Sequence, residues 1–115
     1  MFYTFRQNNS GGDFIGPAIT VIIEATSPAE ANTLAEHNGL YFDGCRNNRD
    51  CSCCGDRWWR VDSDDIGYAE PAIYGDPVDL NEEFVTDKYN ADWGKRSGVP
   101  NILVIYKDGL QRAVK

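Results

Sequence analysis

The chain has 115 residues and a net charge of −7. The length sets the expectation of a single domain over 1–115, and a hydrophobic fraction of 42% excludes wholesale disorder. Duplex nucleic acid is disfavoured: Arg46, Arg49, Arg57 and Arg60 cluster, but Asp43, Asp50, Asp56 and Asp62 are threaded among them. A basic protein surface fits the charge better, although acidity also serves plain solubility.

Met1 is followed by no basic start and no long apolar run, so no targeting segment is expected. The longest apolar stretches, Ile19 to Ile23 and Ile102 to Tyr106, are too short to span a bilayer. An intracellular setting follows, in which disulfides rarely persist.

"MFYTFRQ" alternates aromatic and polar residues and predicts a first strand. Asn8 to Asp13 carries turn residues. Ala18 to Ala25 is rich in β-branched residues and predicts a buried strand. A helix is expected over Pro28 to His37. Ser27 is its N-cap, Pro28 its first residue, Glu30 its capping-box partner, and Asn38-Gly39 its stop. Ala31, Leu34 and Ala35 form its apolar face. Leu40 to Phe42 reads as a short strand leading into a cysteine loop, and Asp56 to Val61 as a strand leaving it. Asp62 to Pro77 reads as an acidic loop with one short strand around Ala72 to Tyr74. A second helix is predicted over "DLNEEFVTDKYNADW", and a closing hairpin around Asp108-Gly109 with a type I′ turn. The sum is an α+β domain: a mostly antiparallel sheet, one or two helices and a cysteine-rich metal loop. The strand-helix-strand order from Ala18 to Phe42 fits one split unit of a ferredoxin-like arrangement.

The chemistry concentrates in the loop 45–55. Cys51-Ser52-Cys53-Cys54-Gly55 has the C-x-x-C-G spacing of a zinc knuckle, in which two thiolates on a tight turn face one ion. Cys45, Cys51, Cys53 and Cys54 match the four ligands of a closed structural zinc site. Cys53 and Cys54 are adjacent, so both reach one metal only if the chain turns sharply. Otherwise His37 or Asp43 is the candidate fourth ligand. Free or redox-active thiols and a disulfide are the alternatives. A thioredoxin-like activity would need a helix after Cys54, and Gly-Asp-Arg-Trp-Trp-Arg is a poor one.

Arg57, Trp58, Trp59 and Arg60 are the candidate binding residues. One tryptophan is expected in the core and the other exposed beside an arginine, a pairing common in protein hot spots and in base-stacking platforms; the alternative is that Trp58 and Trp59 both pack around the metal loop and Arg57 pairs with Asp56 or Asp50. On a strand, Trp58 and Arg60 would share one face and Arg57, Trp59 and Val61 the other. "DSDDIG" (Asp62 to Gly67) lacks the fifth and twelfth ligands of a calcium loop. With one histidine and no nucleophile-base set, the chain is not expected to be an enzyme.

"GLYFDG" followed by "DCSCCGDRWW" resembles short tailed-bacteriophage proteins that carry a DCxCCGDRW motif. The likeness is strongest from the first strand through Arg60. It implies a phage origin and an accessory protein acting in the infected host's cytoplasm. The expected function is a zinc-stabilised interaction module that modulates a host or phage protein. The alternatives are a binder of nucleotide or single-stranded nucleic acid, and a minor virion component.

Overall fold

The computed structural model describes residues 1–8, 16–50, 55–78 and 101–114. Six strands and one helix lie among them, in the order β1 (Phe2–Arg6), β2 (Thr20–Glu24), α1 (Pro28–His37), β3 (Ala72–Ile73), β4 (Asp76–Pro77), β5 (Ile102–Ile105) and β6 (Gln111–Val114). Four strands form one sheet in the order β1-β2-β5-β6, and β3 pairs with β4 in a small hairpin. The β1–β2, β5–β6 and β3–β4 pairs are antiparallel; β2 and β5 run parallel. The fold is α+β, with one helix among the described residues and a mostly antiparallel sheet. None of the helix content described is long and apolar enough to cross a membrane. The predicted second helix lies outside the described residues.

Both faces of the sheet are covered, which explains why β1 and β2 are apolar beyond simple alternation. On one face Tyr3, Phe5, Val21 and Ile23 join Ala31 and Ala35 of α1, Leu40, Phe42 and Trp58 in one cluster. On the other, Phe2, Ile22, Ile102 and Val104 pack with Ile73. The helix begins and ends where its sequence signals place it. Ser27 Oγ accepts from the Glu30 amide at 3.1 Å, and Glu30 reaches back to the Thr26 amide and hydroxyl at 3.1 and 3.0 Å. Those two hydrogen bonds hold the Glu30 carboxyl below its usual range.

Three local expectations are corrected. Residues 40–42 are not a strand. Leu40 and Phe42 do point inward, but β2 already has β1 and β5 as neighbours and offers no free edge, and the segment packs on the sheet's face. The same fact removes the ferredoxin-like unit: the parallel partner of β2 is β5, far along the chain. Residues 56–61 are not a strand either. The Asn32 side-chain amide serves as their pairing partner, donating to the Val61 carbonyl at 3.1 Å and accepting from the Val61 amide at 2.9 Å. Finally, the β5–β6 turn is not type I′. Gly109 donates to the Tyr106 carbonyl and alone among the turn residues has positive φ (92°). Tyr106 and Leu110 flank a three-residue loop, a type I turn with a glycine bulge.

Candidate functional site

The segment before the cysteines folds back on itself. Asp43 (φ 58°) and Asn48 (φ 60°) take left-handed backbone positions, and the Arg49 and Asp50 amides both donate to the Gly44 carbonyl, at 2.8 and 3.1 Å. This turn brings Asp50 under Tyr41. The Asp50 side chain is fully buried. Its Oδ1 accepts from the Tyr41 hydroxyl at 2.6 Å and its Oδ2 from the Arg57 amide at 2.7 Å.

Arg57 completes the arrangement. Its Nε donates to the Tyr41 hydroxyl at 3.2 Å and lies 3.7 Å from Asp50 Oδ1, so the hydroxyl mediates the ion pair. Its Nη1 donates to Gln7 Oε1 at 2.9 Å, and Gln7 Nε2 in turn donates to the Ala18 carbonyl at 2.7 Å. The Arg57 carbonyl accepts from the Asn8 amide at 2.8 Å. A buried carboxylate, a guanidinium, a phenol and an amide thus fasten the cysteine loop to the end of β1. Burial, then the hydrogen bond to Asp50, push the Tyr41 hydroxyl above its usual pKa. Arg49 lies over the Tyr41 ring, 3.7 Å from its centre.

The four candidate binding residues divide in two. Arg57 and Trp58 are interior, with Trp58 at 1% exposure. Trp59 is 62% exposed and Arg60 is on the surface. One tryptophan in the core and one outside is as the sequence predicts. The faces are not, because Arg57 and Trp58 turn in together where a strand would part them. Arg60 pairs with Asp43 at 2.9 Å and lies over the Phe42 ring. That hydrogen bond depresses the Asp43 carboxyl, and Arg46 adds to the effect.

Of the four candidate zinc ligands only Cys45 is described. Cys51, Cys53 and Cys54 lie outside the described residues. Cys45 is half-buried, and its amide donates to Asp56 Oδ1 at 2.9 Å. Two anchors therefore bracket residues 51–54: the Asp50–Arg57 contact closes the stretch, and the Cys45–Asp56 contact sets Cys45 beside its exit. Among the described residues, no group of His, Cys, Asp or Glu side chains is placed to hold a metal ion. His37 is exposed in the last turn of α1, and Asp62 to Asp65 form an exposed turn.

Sequence reasoning missed Gln7 and Tyr41 as parts that fix this surface, while the pairing of Arg57 with Asp50 is one of its two alternatives for that arginine. It also missed a cleft of about 240 Å³ beside β1, whose lining includes Thr4, Arg6, Asp65, Tyr68 and Tyr74. The Asp43-Gly44 pair was a readable turn signal. Nothing local marked the contact from Gln7 to Arg57.

A family model described as a domain of unknown function, DUF7296, matches residues 1–114. No curated protein and no solved structure matches the chain.

Proposed function

We propose that this chain, which belongs to the DUF7296 family, is a protein-interaction module: a small phage accessory protein that binds a host or phage protein in the host cytoplasm and alters its activity. The observation that carries the reading is the division within Arg57–Arg60. The first two residues are locked inside, and the next two are presented to solvent on that fixed base. A rigid aromatic side chain loses little entropy on binding, and Trp and Arg dominate protein hot spots. The mixed charge around Trp59, with Arg60 on Asp43 and Arg46 close by, suits the polar rim of such an interface.

The nucleotide or single-strand reading has less support. It asked for two tryptophans and two arginines, and only Trp59 and Arg60 are available to a ligand. The test is capture on the immobilised chain from infected-cell lysate, with and without nuclease. One host or phage protein retained under both conditions is expected. Recovery of nucleic acid alone, or of virion proteins alone, would overturn the reading.

The same proposal includes one structural zinc held by Cys45, Cys51, Cys53 and Cys54. Its support is the knuckle spacing together with the two anchors that bracket residues 51–54. Zinc would brace the loop that precedes Trp59 in the chain. Protein purified without added metal is expected to hold one zinc per chain, and chelation to lower its thermal stability. Substoichiometric zinc with four titratable thiols in the folded protein would refute the site.

A further inference from the structure

Among the described residues, β1 is an edge strand of the four-stranded sheet. Its odd-numbered residues face β2: Gln7 donates to the Ile19 carbonyl, and Ala25 donates to the Met1 carbonyl. Main-chain groups alternate along an antiparallel strand, so Phe2, Thr4, Arg6 and Asn8 direct theirs away from β2. At one end of that edge Phe2 exchanges two hydrogen bonds with Tyr68, at 2.7 and 2.9 Å. At the other end Asn8 donates to the Arg57 carbonyl. Between them, the Thr4 N–H and C=O have no hydrogen-bond partner among the described residues.

This gap is the floor of the 240 Å³ cleft. Tyr68 and Asp65 stand on one side. On the other is Tyr74, which is 75% exposed and held by Arg6 Nη1 donating to its hydroxyl at 3.0 Å. The Thr4 hydroxyl donates to the Ala72 carbonyl at 2.6 Å and so fixes the β3–β4 hairpin that carries Tyr74. Asp65 and Arg6 are the charged residues that line the cleft, and Arg6 is engaged with Tyr74; around them the chain from Asp62 to Pro77 that supplies both walls adds the exposed Asp62, Asp64, Glu70 and Asp76 and no lysine or arginine. An open main-chain donor and acceptor, aromatic walls and an acidic rim occur together.

We infer that the β1 edge is a peptide-binding groove, in which an extended cationic segment of a partner protein adds a strand opposite Thr4 and sets its side chains against Tyr68 and Tyr74. Main-chain hydrogen bonds to an exposed edge supply affinity in this mode, and flanking pockets supply preference. The acidic rim selects a basic strand and repels an acidic one. The groove uses none of the Trp59 surface, so the two can be tested apart.

The probe is a capped peptide, acetyl-Lys-Val-Lys-Val-Lys-amide, titrated into the isotopically labelled protein while amide resonances are followed. The expected result is a shift and slowed hydrogen exchange of the Thr4 amide, with shifts at Tyr74. N-methylation of the central valine, or glutamate in place of lysine, is expected to weaken binding at least tenfold. Thr4→Pro, which removes an edge donor at a position where proline is tolerated, is expected to weaken binding further than Thr4→Val, which loses the same hydroxyl bond to Ala72 but keeps the amide. Trp59→Ala is expected to leave it unchanged. Absence of a Thr4 response up to about 1 mM peptide, the weak end of specific recognition, would overturn the inference. So would equal binding of the acidic or N-methylated peptide. Protection of Thr4 in the protein alone, rising with its concentration, would make a second copy the occupant and also overturn it.

Discussion

Asp50→Ala is expected to lower the unfolding free energy by about 3–5 kcal/mol, the range for removing one partner of a buried ion pair. The Asp50 side chain is fully buried, and Arg57 opposite it is only 7% exposed. The change would remove the Asp50 charge from beside the Arg57 guanidinium and deprive the Arg57 amide and the Tyr41 hydroxyl of the Asp50 acceptor. Gly44→Ala tests the same node by crowding, because a Cβ there would fall on Asp50 Oδ2 and within 2.8 Å of Tyr41 Cε2. The carboxylate cannot move aside without losing the Tyr41 and Arg57 contacts. Urea denaturation of both variants measures the effect. A loss below about 1 kcal/mol for Asp50→Ala, the level of an exposed pair, would show that the network does not hold the loop.

The second large effect is expected at Trp58. Trp58→Ala removes a ring buried among Tyr3, Phe5, Phe42 and α1 and should cost about 3–5 kcal/mol. Trp58→Phe should cost much less, because Trp58 Nε1 has no hydrogen-bond partner among the described residues and only ring volume is lost. Trp59→Ala, one residue along, should stay within about 0.5 kcal/mol, as for surface positions without special contacts. Denaturation midpoints of the three variants give the comparison. Equal losses at Trp58→Ala and Trp59→Ala would contradict the division between an interior and a presented tryptophan.

The sequence was most informative where one local signal sufficed. The bounds of α1 follow from Ser27, Pro28 and Asn38-Gly39, and the structure places the helix at Pro28–His37. Thr20–Glu24 and the β5–β6 hairpin were legible from their β-branched runs and the Asp108-Gly109 pair. The failures share a cause. At Leu40–Phe42 and Asp56–Val61 the apolar pattern showed which side chains turn in, but a strand also needs a free neighbour. Available pairing is a property of the whole sheet. Asn32 as a stand-in partner for Val61 is likewise invisible from either segment alone. The network at the site is similar. The residues allow Arg57 to pair with Asp56 or Asp50, and only the return of the chain to Gln7 makes Asp50 and Arg57 an interior pair. The β1 edge went unread because an edge is defined by strand order, and an acidic, tyrosine-bearing loop has no meaning until Tyr68 is seen beside Phe2.

The claim at the centre is that Trp59 is a binding residue held in place by an interior it does not belong to. Titration calorimetry of the captured partner with the parent chain and with Trp59→Ala tests it most directly. The expected result is an unchanged melting curve for the variant and an affinity lower by about 30-fold, the scale of a hot spot worth about 2 kcal/mol. An affinity equal to the parent's, with the fold intact, would contradict it.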